Sequence, residues 1–150
     1  MTDVLHHLAR PERFFQQAAR CVKPGGVIVM VEPWVTSWSR LIYRYLHHEP
    51  FDPDAPNWEL PLGGPLSMAN EALAWIIFER DRERFAREYA EWQIRLIRPL
   101  MPVRYLISGG VSLRGLMPGW SFDFWRWVES RLESRMNTWA MFAQIALVRT

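Results

Sequence analysis

Val22-Lys23-Pro24-Gly25-Gly26-Val27-Ile28-Val29-Met30-Val31-Glu32-Pro33 is the stretch on which the fold of this chain turns. Residues 27–31 are apolar at every position and rich in β-branched side chains. They are entered from a Pro-Gly-Gly turn and left at a proline, which predicts a strand covered on both faces, as parallel strands are. Just upstream, Pro11 suits a first helical position, where a missing N–H costs nothing. Phe14, Phe15, Ala18, Ala19 and Val22 then recur at helical spacing until Lys23-Pro24-Gly25-Gly26 ends the pattern. Helix, tight turn and buried strand in that order predict an α/β fold. Ligand crevices in open α/β sheets lie beyond the carboxyl ends of such strands, which singles out Glu32, Pro33 and Trp34.

Downstream, the second half of residues 34–48 has helical spacing, with Trp38, Leu41, Ile42, Tyr45 and Leu46 close to one face. Pro50, Pro53 and Pro56 break it, and residues 50–65 read as irregular loop. The spacing of Leu73, Ile76, Ile77, Phe85, Tyr89, Trp92 and Leu96 predicts one long helix over residues 70–98, with Glu83/Arg87 and Glu91/Arg95 as ion pairs on its wet side. Residues 104–108 read as a strand closed by Gly109-Gly110. Ser121 is placed to cap a helix whose side carries Phe122, Trp125, Val128 and Leu132, with Asp123 in its first turn. Residues 138–148, almost continuously apolar, read as a central strand. No repeat or linker divides the chain, so residues 1–150 form a single domain in which residues 34–100 are a helical cap or insertion.

The 150 residues are 49% hydrophobic and 23% charged, with a net charge of +2, a profile that excludes a disordered or fibrous chain. A single cysteine, Cys21, excludes an internal disulfide and a CxxC redox pair. It reads as a small core residue in a reducing, cytoplasmic protein. The 18 basic residues are interspersed with 16 acidic ones, which gives no nucleic-acid footprint. No apolar run approaches the ~20 residues of a membrane span. Most of the nine Trp read as core. Trp34, Trp38 and Trp58 are kept apart because they fall in the cap beyond the strand end.

Asp3-Val4-Leu5-His6-His7-Leu8, a helix opening at Pro11, and Val22-Lys23-Pro24-Gly25-Gly26 running into a buried strand together resemble one stretch of the class I S-adenosylmethionine-dependent methyltransferases of the small-molecule type. In that family the D-x-L-H-H segment follows the fourth sheet strand and the K-P-G-G turn introduces the fifth. The likeness covers residues 3–33, and residues 139–149 suit the family's antiparallel last strand. The resemblance implies an incomplete Rossmann-like sheet, made of the last strands and ending in an antiparallel one. It also implies transfer of a methyl group from S-adenosylmethionine to a small, apolar acceptor. The family's Gly-rich first turn and the acidic residue ending its second strand have no counterpart here, because Gly25-Gly26, Gly63-Gly64 and Gly109-Gly110 lack the strand-turn-helix context. Met1 falls at the end of the expected fourth strand. The chain by itself is therefore expected to be inactive and to self-associate, or to bind a partner chain, at an exposed sheet edge. Two further readings stay open: a non-enzymatic regulatory subunit that completes its sheet with a partner, and a degenerate fragment.

The resemblance puts His6 and His7 near the sulfonium and the acceptor. With Glu32 at the strand end, they are the candidate proton acceptors. Asp3, Leu5 and His6 are the candidate cofactor contacts. Trp34, Trp38, Arg44, His47 and His48 are expected to line the acceptor pocket. His6, His7, His47, His48 and Glu49 make a nominal metal-ligand set, but adjacent His side chains point apart on a regular helix or strand, so no metal is expected.

Overall fold

The structure, a computed structural model, describes residues 1–60, 69–109 and 118–150. A 3₁₀ turn, Leu5–His7, precedes α1 (Pro11–Cys21), β1 (Val27–Pro33) and α2 (Ser37–Tyr45). Then come α3 (Leu73–Trp75), a π-helical turn (Ile76–Arg80), α4 (Arg82–Glu88), β2 (Trp92–Leu100) and α5 (Arg104–Ile107). After α6 (Phe122–Arg131) and α7 (Met136–Trp139), β3 (Phe142–Arg149) completes a sheet of order β1-β3-β2. The last strand sits in the middle, antiparallel to both neighbours, with Met30 opposite Ile145 and Ile97 opposite the same residue. An antiparallel, central last strand is as expected.

The α1–turn–β1 unit forms as its residues dictate. Gly25 has φ +80°, a conformation glycine adopts freely, and its N–H reaches Arg149 O at 2.8 Å. A Cβ on Gly26 would stand 2.5 Å from Val22 Cγ1, so the turn closes only on glycine. Phe15 on α1 is fully buried and meets Phe78, Phe85 and Tyr89 with ring centroids 5.9, 5.1 and 5.3 Å away. Met30, Ile145 and Leu147 add the sheet's contribution to this core. Strand residues alternate between faces, and Phe142 turns the other way, into a smaller cluster with Ile42, Tyr43 and Met141 under α2. A reciprocal cap starts α2: Ser39 N–H donates to Thr36 Oγ1 and Thr36 N–H to Ser39 Oγ.

Several expectations are corrected. β1 is not covered on both faces along its length, because Val27 and Val29 are 53% and 44% exposed. Its ladder partner is antiparallel, and its parallel neighbour is the short bridge of Thr2 to Val31. The long helix over 70–98 is broken, and residues 92–100 of the expected helical cap are the edge strand β2. A bulge between Ile94 and Leu96 shifts the register, so Trp92, Ile94 and Ile97 share the covered side at spacings of two and three, which imitates a helical stripe. Glu91/Arg95 is therefore no helical pair, and the i, i+4 ion pair observed on α4 is Arg84 with Glu88 at 3.0 Å. Residues 104–107 form helix α5 instead of a strand; so short an apolar run does not distinguish the two. Ser121 precedes α6, but its Oγ donates to Pro118 O and does not cap the helix. On α2 the buried residues are Ser39, Ile42 and Tyr43, while Leu41, Tyr45 and Leu46 face solvent. Cys21, at the end of α1 and off its buried face, is exposed. Trp120, Trp127 and Trp139 are exposed, against the core reading. Gly63-Gly64 and Gly110 lie outside the described residues. Among the described residues no helix is long and apolar enough to cross a membrane.

Candidate functional site

Polar side chains gather at the carboxyl end of β1. Residues 1–3 run beside it: Val31 N–H donates to Met1 O at 3.1 Å and Asp3 N–H to Val31 O at 2.8 Å. Asp3 then takes the left-handed conformation, φ +59°, tolerable for an Asp, and folds the chain back into the 3₁₀ turn. That turn rests on Glu32, whose side chain is completely buried. Glu32 Oε1 accepts from the N–H groups of Val4 and Leu5, both at 3.0 Å, and Oε2 lies 3.0 Å from His6 Nδ1. A buried carboxylate that accepts from two backbone donors has one oxygen left, and the imidazole supplies its third donor. The arrangement calls for an N–H on His6 Nδ1, so that in the neutral ring the lone pair falls on Nε2.

His6 Nε2 faces Asp3 Oδ1 at 3.9 Å and Glu49 Oε2 at 3.6 Å, and His7 Nε2 stands 3.8 Å from that same Glu49 oxygen. The two rings are tilted by 41° with centroids 4.1 Å apart. Adjacent His side chains therefore converge here. The tighter winding of a 3₁₀ turn, with a flexible glutamate reaching in from another segment, removes the reason for expecting them to diverge.

Behind Glu49 lies a second polar group. Its N–H donates to His47 Nδ1 at 3.3 Å, His47 Nε2 is 3.3 Å from Tyr105 Oη, and Glu71 Oε1 is 3.2 Å from His47 Nδ1. Burial first, then the charges of Glu49 and Asp3, push the Glu71 carboxyl up to about 9. Burial also lowers His47 below the usual histidine value. A protonated Glu71 donates to an unprotonated Nδ1, which the Glu49 N–H also approaches, with the His47 proton on Nε2 toward Tyr105, while Glu71 Oε2 has no donor. Asn70 holds the two segments together, its Oδ1 accepting from Asp52 and Ala72 N–H groups and its Nδ2 donating to Asp52 O. Its own N–H donates to His6 O at 3.0 Å. Sequence reasoning missed Asn70, Glu71 and Tyr105. The available signal was an Asn-Glu pair opening the apolar run 72–78.

The structure thus brings together Asp3, His6, His7, Glu32 and His47. It does not bring the rest of the expected pocket to them. Trp34 is 5% exposed and Trp58 completely buried; both belong to the main core. Trp38 donates to Pro102 O and packs on Trp139. Arg44 borders a separate depression of about 320 Å³ with Arg40, Phe51, Asp52, Pro53 and Asp54. His48 is 65% exposed, its ring stacked on His47.

Residues 1–30 match a family model, that of a methyltransferase domain. Over that stretch the chain is methyltransferase-like, and the stretch contains Asp3, His6, His7, α1 and the start of β1. Glu32, Glu49 and Glu71 fall beyond it. No curated protein and no solved structure matches the chain. Methyltransferase domains of this kind generally use S-adenosylmethionine. Leu5 is completely enclosed and His6 is 1% exposed, so among Asp3, Leu5 and His6 the Asp3 side chain alone presents appreciable surface.

Proposed function

We propose that this is a methyltransferase-like protein carrying the acceptor side of a methyl-transfer site, with His6 as the proton acceptor and Glu32 as the residue that orients it. The observation behind this reading is the Glu32–His6 contact at 3.0 Å, which holds a proton on Nδ1 and, in the neutral ring, puts the lone pair on Nε2 beside a half-exposed Asp3. When a small, apolar hydroxyl- or amine-bearing acceptor is methylated, a proton must leave it, and a fixed imidazole lone pair takes that proton without reorganising. His7, 39% exposed, is placed to touch the acceptor instead of carrying its proton. S-adenosylmethionine supplies the methyl group when bound. Its contacts are expected from a Gly-rich segment outside this sequence, so the chain as it stands is expected to be inactive.

The experiment is to read the DNA upstream of the Met1 codon in the same frame, then assay the extended polypeptide for methyl transfer to small phenols and amines. A strand, a G-x-G-x-G turn and a helix are expected, together with turnover that falls at least about a hundredfold in His6→Ala. Unrelated upstream sequence, or unchanged turnover in that variant, overturns the reading. A second reading, a non-enzymatic subunit that pairs with a partner strand, is favoured by the exposed Val27 and Val29 on β1. Co-purification of one stoichiometric polypeptide, lost in Val29→Lys, would select it.

A further inference from the structure

Asp3, Glu32, Glu49 and Glu71 converge with His6, His7 and His47. Among the described residues none of the four carboxylates forms an ion pair with Lys or Arg; their charged partners are all histidines. With Glu71 protonated, Asp3, Glu32 and Glu49 still gather carboxylate charge that no Lys or Arg among the described residues balances, an arrangement a cation completes.

We propose that His6 Nε2, His7 Nε2 and Glu49 Oε2, with Asp3 Oδ1 as the fourth donor, form a binding site for one divalent transition-metal ion of the zinc type. The three principal ligand atoms lie within 4.8 Å of one another. Metal–ligand bonds of about 2.0–2.2 Å in a tetrahedron put donor atoms about 3.3–3.6 Å apart. The observed separations from Glu49 Oε2 are 3.6 Å to His6 and 3.8 Å to His7, so an ion draws these donors in by a few tenths of an ångström, whereas Asp3 Oδ1, 3.9 Å from His6 Nε2 but outside the mutually close trio, swings further to complete the set. Two imidazoles with carboxylates suit zinc, nickel or copper better than magnesium or calcium.

Two observations outside the ligand set point the same way. Glu32 accepts from His6 Nδ1, which is the outer carboxylate that metal-bound histidines characteristically use to fix the ring and raise its basicity. Glu71 is 3% exposed, its Oε2 is buried with no hydrogen-bond donor, and its carboxylate lies within 4.8 Å of Glu49 and His47 ligand atoms. An orphaned buried oxygen beside a proposed ligand is relieved when a cation arrives next door. His7 and Asp3, 39% and 50% exposed, give the ion its route in from solvent.

The site stands independently of methyl transfer, but the two share a lone pair. An ion on His6 Nε2 blocks the proton transfer proposed above, so zinc is expected to inhibit any turnover that depends on His6.

The test is calorimetric titration of zinc chloride into the untagged, chelator-stripped chain, with cobalt(II) as a spectroscopic stand-in. One ion per chain is expected, together with the intense visible bands of four-coordinate cobalt. His7→Ala and Glu49→Gln, both at partly exposed positions, should each weaken binding at least about tenfold. Glu32→Gln should weaken it about 10–100-fold through His6. Circular dichroism of each variant checks that it is folded, and Glu88→Gln, on the far exposed face of α4, should bind as the parent does. No saturable 1:1 binding, or binding that is unchanged in both His7→Ala and Glu49→Gln, overturns the site. Because no cofactor or acceptor is present, failure here leaves the methyl-transfer reading standing, and success does not establish it.

Discussion

His6 Nδ1 and Glu32 Oε2, 3.0 Å apart and both buried, join the 3₁₀ turn to the carboxyl end of β1. Glu32 also caps that turn through two backbone N–H groups, so one side chain sets both the path of the chain and the tautomer of the ring. In Glu32→Gln, one backbone or imidazole donor loses its carboxylate oxygen and faces an amide NH₂. A loss of about 1.5–3 kcal/mol is expected in urea unfolding. Nitrogen-15 spectra should show His6 as the Nδ1–H form in the parent and as a tautomer mixture in the variant. An unchanged tautomer would remove Glu32 from its orienting role.

Glu71 yields a pH prediction in metal-free protein. Its folded value of about 9 is above the ordinary 4.5, so between those pH values the folded chain holds a proton the unfolded chain has lost. Stability contributed by this group is complete below pH 4.5 and declines as pH rises toward 9. Glu71→Gln keeps an NH₂ donor for His47 and removes the titration. It should match the parent near pH 4.5 and exceed it by about 1–3 kcal/mol at pH 8, by chemical denaturation at each pH.

Asp81 behaves in the opposite sense. Hydrogen bonding from Arg80, then from Trp58 Nε1 at 2.9 Å, holds its carboxyl below the ordinary value. Its stabilising share is present above pH 3.8 and disappears as pH falls through the lowered folded value. Asp81→Ala strips the acceptor from the completely buried Trp58 and should cost about 1–3 kcal/mol at neutral pH, whereas Asp81→Asn should retain most of that while losing the acid dependence.

The outer edge of β1 offers a fourth test. Met1 and Asp3 engage Val29 O and both backbone groups of Val31, but Val27 and Val29 remain exposed beyond them. Sedimentation should find the parent self-associating, and Val27→Lys with Val29→Lys should shift it toward monomer, since edge lysines discourage strand addition. A monomeric parent would contradict this expectation.

The helix, the turn and β1 were legible because their signals are local: a proline start, a helical stripe, a glycine stop and a β-branched run. The middle of the chain was not. At β2 the bulge disguises a period of two, and the decision between helix and strand is made by pairing with β3, more than forty residues on. The same division holds at the site. Glu32 and His6 were singled out by their places after and before β1, and they meet in the structure, while Glu71 looked like the edge of a core helix. What draws it into the polar cluster is its meeting with Glu49 and His47, a long-range contact that no spacing within residues 69–78 encodes.

The central position of β3 has a consequence for how the molecule comes into being. As the ribosome emits the chain, β1 and β2 appear first and have no partner in each other, because the strand that belongs between them is made after both. Both strands must therefore wait for their shared partner through the synthesis of the forty-odd residues that separate β2 from β3, β1 holding only its short contact with residues 1–3 meanwhile. Chaperone capture of the nascent polypeptide, and misfolding when synthesis stalls in that interval, follow from the topology of three strands.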